Sequence, residues 1–587
     1  MRHAIVVLML VSSPVSAQIV STDKTYDERL RQAQISALGT DLFGDSINLK
    51  DGTVQFSQTD VSIETNSDLK VEFTRRTPRQ KQGLDRAQMP LGAGWEMDIP
   101  YMMATYDTRR RWDAGGSTAR CSSDYLRPSA TVGPSPNYNT RVMSPDMYWS
   151  GIYINIPGVG YESLLKLIDG HARPQDGATY IGATNSFWRV SCLSTIKNGV
   201  GEGFAVRLPN GMRYEFDRMA TRNASDVLDS EYYRDANGDG TNPTGLLVPT
   251  SDVFLYATKV EDRFGNFLTY EYDTLNKHRL LSIASNDGAR IDISYNSNGQ
   301  VSEVASSGRI WRYNYVDSYY GRKLSEVVLP DQSTWSFPAG TAYHNGAMWW
   351  YIVSSALPGG FYMNSCAEDA TGYRSQDVPN SADVVTITMK HPSGAIGEFT
   401  TRPLIHGSDN TPGGCGLFGT SASSFWFGSY GIPSAYLARS LTSKRISGPG
   451  ISPATWSYTY HPRWSFANTC VGTTCRSRTI ESRPDGSSVE YVFGNNYATD
   501  VGDLLEKTLT NGGTFVERVS YQTSSVPGPY PADAGQLISQ GNPLTVKLRP
   551  INSVQTLRDG RLFTKSIGQF DQFAQPTSVT KSSADTP

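Results

Sequence analysis

Gly265-Asn-Phe-Leu-Thr-Tyr270-Glu-Tyr272-Asp273 is followed by Gly288-Ala-Arg-Ile291-Asp-Ile293-Ser-Tyr295-Asn296, and then by Gly308-Arg-Ile310-Trp-Arg-Tyr313-Asn-Tyr315. The three phrases share one grammar. A turn glycine opens each, alternate residues are apolar, and a tyrosine closes the run. The closing tyrosines Tyr272, Tyr295 and Tyr315 are spaced by 23 and then 20 residues. Alternation of period two is strand geometry, and Asp287-Gly288 or Asn210-Gly211 supplies the positive φ of a tight hairpin. Fainter copies run from Gly211 through Tyr214 to Phe216-Asp217, from Gly486 through Val489, Tyr491 and Phe493, and from Gly560 through Phe563 to Phe570-Asp571. A lone hairpin is marginal in water, so the repeat predicts an all-β protein: a stacked β-hairpin array forming an extended or spiralling sheet.

Outward from the repeat, the alternation continues at Val54 and Phe56, Val61 and Ile63, and Leu69, Val71 and Phe73. A helical spacing stands out at Tyr26–Leu38, with Asp23 or Thr25 as its cap and Gly39 as its stop. Before it, the apolar run Ala4 to Val11, broken by Pro14 and followed by Val15-Ser16-Ala17, reads as a signal peptide cleaved after Ala17. No later run of 18 apolar residues predicts an integral membrane segment. The predicted organisation is therefore a signal peptide (1–17), a helix with opening strands (18–100), and an irregular β region (101–205). A first repeat block (206–340), a Gly/Ser/aromatic-rich decorated β region (341–480) and a second repeat block (481–587) follow, the array breaking off in mid-repeat.

A net charge of −3 over 587 residues offers no bulk attraction to nucleic acid or an anionic membrane. With 38% hydrophobic and 11% aromatic residues, the chain has the material for a large core. Its 6 cysteines (Cys121, Cys192, Cys366, Cys415, Cys470, Cys475) in an exported chain predict disulfides. Spacing alone allows about 15 pairings. Local closure favours Cys470 with Cys475, and then Cys366 with Cys415. The predicted location is extracellular, cell-surface or periplasmic.

The Tyr-Asp closure at Tyr272-Asp273, the segment Tyr295-Asn-Ser-Asn-Gly299-Gln-Val-Ser-Glu-Val304, and Pro90-Leu-Gly92-Ala-Gly94-Trp95 resemble the RHS/YD-repeat family. Repeat-like segments span roughly 208–337 and 481–580, with opening features across 40–100. The resemblance implies a β-ribbon wound into a partial shell that encloses or displays a C-terminal effector, often a toxin. It implies a non-enzymatic scaffold, with cargo or a cell-surface glycan as partner. The chain departs from the family in having no Asp-Pro dipeptide, where the family's shells commonly carry an Asp-Pro-rich autoproteolytic motif.

The sharpest local motif is Asp235-Ala-Asn237-Gly-Asp239-Gly240. Oxygen ligands at alternate positions before a glycine turn match the first half of a calcium loop, so Asp235, Asn237 and Asp239 are the candidate metal ligands. Leu246 stands where the bidentate glutamate belongs; Asp252 is an alternative completion, and an Asx-rich turn without metal is the rival reading. No other cofactor is expected. The competing function is an exported carbohydrate-binding or carbohydrate-cleaving β protein. It would draw on Asp262, Asp273 and Asp292 as paired carboxylates, or on Tyr319-Tyr320 and Trp349-Trp350 as sugar platforms. Asp273 is more economically a turn acceptor, the aromatics core, and Arg109-Arg110-Arg111 a solvated loop. No Gly-x-Ser-x-Gly elbow, phosphate loop or His-Glu-x-x-His occurs.

Overall fold

The computed structural model describes residues 42–78, 89–108, 112, 117–123, 130–132, 141–143, 149, 151–224, 227–228, 247–318, 321–338, 351–352, 384–411, 435–465, 470–524, 528–538 and 543–585. The predicted signal peptide, the Tyr26–Leu38 helix, the calcium loop and the Cys366–Cys415 pair lie outside these residues. Every strand falls within one compact unit, Phe43–Pro587. Among the described residues the regular structure is β, relieved only by 3₁₀ turns at Gly472–Thr474 and Pro543–Thr545. No helix there is long and apolar enough to cross a membrane.

A single antiparallel sheet of 29 strands carries the fold, beside a 4-stranded sheet and two strand pairs. The repeat is its spine. Thr250–Glu261 pairs with Phe267–Tyr272, and pairing then passes in chain order through Leu280–Ser285, Arg290–Tyr295, Val301–Ser306, Arg309–Val316 and Lys323–Val328. Strands from 101–205 and 341–480 join this same sheet, as Tyr101–Asp107 does against Thr250–Glu261 and Ile396–Gly407 against Ala435–Gly448.

Two local devices build each repeat. At the turn, an Asp or Asn side chain gathers the backbone amides that follow it. Asp273 accepts from Leu275 and Asn276, and Asn296 from Asn298 and Gln300, while Asp262 and Asp571 do the same at Phe264 and Phe573. At the closure, the tyrosine hydroxyl donates to a carbonyl on the preceding strand. Tyr272 reaches Ala257 O at 2.9 Å, Tyr295 reaches Leu280 O at 2.8 Å, and Tyr315 reaches Val301 O at 2.8 Å. The pairing register shifts just before each of these residues, between Glu271 and Tyr272, Ser294 and Tyr295, and Asn314 and Tyr315. A bulge re-aims the side chain that follows it, and the Tyr272 ring stacks on that of Tyr256 in the preceding strand.

One face of the spine is apolar and buried: Leu268, Ile283, Ile291, Ile293, Val304 and Trp311 are all at or below 6% exposure. The opposite face carries exposed cross-strand ion pairs such as Arg312–Glu303 and Arg478–Glu490, each worth little in water. The apolar face is covered by the 4-stranded sheet: β1 (Asp45–Ile47), β2 (Val54–Ile63), β3 (Val71–Arg76) and β4 (Glu96–Met97). Cover thins towards the end of the chain. Pro576–Asp585 is exposed along its whole length, and Phe563 and Val579 are 46% and 45% exposed. The repeat pattern persists there because the hairpins still pair, whereas burial needs a second layer that β1–β4 do not extend to.

Of the disulfides, Cys470–Cys475 forms as spacing favoured, and Cys121 pairs with Cys192 across 71 residues. Crosslinking so long a loop removes about 4 kcal/mol of chain entropy from the unfolded state in the loop-closure account.

Tyr295→Phe, which deletes only the hydroxyl bond to Leu280, is expected to cost about 0.5–1.5 kcal/mol. Tyr295→Ala, which also empties the ring's site, is expected to cost about 3–5 kcal/mol. Urea denaturation checks both, and a loss below about 0.5 kcal/mol for the alanine variant would place the ring on the surface.

Candidate functional site

The opening sheet meets the repeat sheet along a buried seam, and the most unusual side chains of the protein gather there. β3 ends in two adjacent arginines, Arg75 and Arg76, and strand alternation sends them to opposite sides. Arg75 turns inward. Its Nε lies 2.9 Å from the Asp60 carboxylate on β2, and both side chains are 1% exposed. The guanidinium is also 4.7 Å from the ring of Trp95, 5.1 Å from Trp335 and 4.8 Å from Phe337. Asp60 accepts a further bond, 3.0 Å long, from the Tyr313 hydroxyl of the repeat. Burial raises the Asp60 carboxyl's pKa, and the Arg75 charge and bond oppose that rise. Arg76, on the other side, pairs with Glu96 at 2.6 Å and Asp98 at 3.0 Å.

A second inward pair, Lys444 with Asp45 of β1, lies between the rings of Phe399 and Trp456. Phe43, Phe56 and Phe73 pack edge-on against Trp335, Phe399 and Tyr313. Charge, ring and strand thus interleave, and the seam has one register.

Main-chain bonds pin the two ends. Val301 N donates to Pro90 O at 2.8 Å and Ala93 N to Arg322 O at 2.9 Å, so Pro90-Leu-Gly92-Ala-Gly94-Trp95 is spliced directly onto the repeat strands. Gly92 has φ +72°, and a Cβ there would lie 2.8 Å from Arg322 O. At the other end Gly52 O accepts from Leu441 N at 2.8 Å. Gly52 has φ +76°, and a Cβ would meet Ser440 and Tyr460 at 2.6 Å. Both turns require glycine for conformation and for room.

The turn at Gly52 enters a polar node. His406, 2% exposed, shares a 2.9 Å hydrogen bond with Ser440 Oγ and meets the Tyr460 ring edge-on. Burial and the nearby Lys50 push its pKa down to about 3. Lys50 itself is lowered to about 8 by burial, against the pull of Asp51, Asp500, Asp409 and Asp503. Asp409 is buried and accepts from Asn495 Nδ2 at 3.0 Å and Ser465 Oγ at 2.9 Å. Its carboxylate also lies within 4.8 Å of the Cys470 and Cys475 sulfurs. Those sulfurs are bonded to each other, and a metal requires thiolates, so this trio is no metal site.

The residues singled out from sequence are placed as follows. Asp235, Asn237, Asp239, Tyr319, Tyr320, Trp349, Trp350 and Arg109 to Arg111 lie outside the described residues. Asp252, the alternative calcium ligand, is half-buried near the start of strand Thr250–Glu261 and accepts from Thr105 Oγ1 at 2.6 Å. Asp273 is a turn acceptor, held below the usual carboxylate range by the amides of Asn276 and Leu275. Asp262 is engaged in the same way, and Asp292 pairs with Arg290 on the exposed face. Sequence reading did not find the Asp60–Arg75 pair. Its signal is a carboxylate in mid-alternation between Thr59 and Val61, where the β2–β3 register shifts.

No family model matches the chain, and no curated protein matches it. Among solved structures it is similar to the crystal structure of TcdB2-TccC3, with 8% identity and a TM-score of 0.25. That match covers 93% of this chain and 37% of the other, so the chain spans little more than a third of its length. It is also similar to the N-terminal domain of the effector protein SpvB from Salmonella typhimurium strain LT2, with 10% identity and a TM-score of 0.15. There the match covers 72% of this chain and 98% of the other.

Removing one partner of the Arg75–Asp60 pair strands a buried charge. Asp60→Ala is expected to cost about 3–5 kcal/mol, and Asp60→Leu with Arg75→Met to recover most of it; a double variant no better than the single would overturn that account. His406 has a folded pKa below its unfolded value of about 6.5, so its contribution is complete above pH 6.5 and lost as pH falls towards 3. Stability is expected to fall by about 1.4 kcal/mol per pH unit from this residue. Denaturation at stepped pH should show a shallower slope in His406→Asn; equal slopes would refute the assignment.

Proposed function

We propose that the chain is a secreted, non-enzymatic scaffold of the RHS/YD-repeat type, forming part of a β-shell that encapsulates or displays an effector, or that makes contact at a cell surface. The observation that carries this reading is the repeat itself: tyrosine hydroxyl to upstream carbonyl, bulge, and Asx turn, recurring through one continuous sheet. Such a unit stacks without limit and commits its polar side chains to structure. The repeat's carboxylates serve turns and cross-strand pairs, and the seam's buried charges lock the opening strands to the sheet. Durability outside the cell fits the two disulfides among the described residues.

The alternative, an exported carbohydrate-binding or carbohydrate-cleaving β protein, draws on the aromatic content of the chain. In the described part the rings go elsewhere: Tyr272, Tyr313, Trp311 and Trp335 are buried in the core.

A reporter domain appended after Pro587 is expected to resist trypsin as long as the sheet is folded, and to be cut once urea opens it. A reporter degraded as fast as the free domain would eliminate encapsulation and leave display. Binding on a glycan array would favour the alternative.

A further inference from the structure

Strands Thr514–Thr523 and Ile551–Arg558 pair directly, yet the chain between them leaves the ladder and crosses to another part of the sheet. The described parts of that excursion are 528–538 and 543–550. Within it, Gln536–Leu537 pairs with Leu165–Lys166 and with no other strand among the described residues. Leu165–Lys166 has one other neighbour, Tyr180–Ala183, so without this contact it would be an open sheet edge. Ladder pairing runs from Leu165–Lys166 to Thr514–Thr523, and the excursion joins those two ends.

The two segments hold each other and fit a shaped seat. Ala534 N donates to Val546 O at 2.7 Å, Leu548 N to Ala532 O at 2.9 Å, and Lys547 pairs with Asp533 at 2.8 Å. From the sheet, Asn185 Nδ2 donates to Thr545 O and to Lys547 O, each at 3.0 Å. Gly535 lies so close that a Cβ would fall 2.7 Å from Leu165 Cβ and 2.9 Å from Lys166 O. Tyr530, Ala534, Ile538 and Leu544 are buried. One titratable ring stands in the contact. The Ala534 main chain hydrogen-bonds His171, whose Nδ1 is buried with no hydrogen-bond partner among the described residues. Arg189 and Arg173 face the ring from the sheet, and Asp533, already paired with Lys547, faces it from the excursion. Arg189 is buried, donates through Nε to Ala172 O at 2.8 Å and lies over the Phe187 ring, while Arg173 pairs with the exposed Asp169 at 3.4 Å. Burial and then the Arg189 charge lower the His171 pKa, against the pull of Ala534 and Asp533.

We propose that 528–538 and 543–550 form an acid-released clasp on the strands around Leu165, and that His171 is the group whose protonation opens it. A proton on Nδ1 creates an N–H without an acceptor, beside a buried guanidinium. Both costs vanish when the clasp lifts and water reaches the ring. The closed-state pKa lies below the open-state value of about 6.5, so closure is at full strength above that pH and weakens as pH falls. The turn carboxylates Asp262 and Asp273 are held below the usual range, so the repeat hairpins keep their acceptors meanwhile. The clasp is a property of the sheet and does not depend on what the scaffold carries.

Hydrogen exchange of the full-length protein, followed by mass spectrometry at about pH 7.5 and about pH 5.5 with labelling times scaled for intrinsic exchange, tests the clasp. Peptides covering Leu165–Lys166 and Gln536–Leu537 are expected to lose about tenfold in protection at the lower pH, and peptides from 280–328 to keep theirs. His171→Asn is expected to abolish that step. Gly535→Val, which cannot seat against Leu165, is expected to leave the clasp peptides weakly protected at both pH values with 280–328 unaffected, and it keeps the test valid if His171→Asn folds poorly. No step in the wild type, an equal step across 280–328, or a step that survives in either variant would overturn the proposal.

Discussion

Each closing tyrosine ties its own strand to a carbonyl 14 or 15 residues upstream, and the rest of the structure depends on that tie. The hydroxyl can reach only because the ladder slips at the residue before it. The slip rotates the ring out of the plain in–out alternation and lays it along the sheet. The Tyr272 ring then stacks on that of Tyr256 in the preceding strand. Without the bulge a tyrosine at that position would point straight into the facing layer, and successive hairpins would share only backbone bonds.

The facing layer explains why the protein tolerates buried charge. β1–β4 form a small sheet with too few apolar residues to define one orientation on a broad apolar face. Ion pairs at Asp60–Arg75 and Asp45–Lys444, each flanked by rings, contribute little net stability against a hydrophobic replacement. They do penalise every other register heavily, because a shift of one residue would strand both charges. The glycines at 52 and 92 act to the same end by steric means.

Much of this was legible in sequence, and the boundary is physical. The turn glycines, the alternation and the closing tyrosines are local signals, and they were enough for an all-β hairpin array. Asp273 could be read as a turn acceptor for the same reason: its partners are two and three residues away. Bulges were illegible because they alter pairing with another strand and leave the strand's own pattern intact. The Asp60–Tyr313 contact joins residues 253 apart, and the Lys444–Asp45 pair 399 apart. Nothing in local composition marks such partners. The second repeat block resembles the first on paper, yet while Val489, Tyr491 and Phe493 are buried, Phe563 and Val579 further along stay half-exposed, because exposure is decided by whether another layer arrives.

That uneven cover divides the sheet into zones of different cooperativity. Strands from about 280 to 328 are held by neighbours on both edges and have a buried apolar face, so opening any one of them breaks ladder bonds on two sides and uncovers core. Strands from 551 to 585 are held mainly by their ladder bonds, with Phe570 against Tyr530, and Pro576–Asp585 has little apolar surface to lose. In a stack held chiefly by nearest neighbours, opening is easiest where the coupling is weakest. The sheet thus has zones of different local stability, the half-exposed strands of 551–585 opening more readily than the buried strands of 280–328.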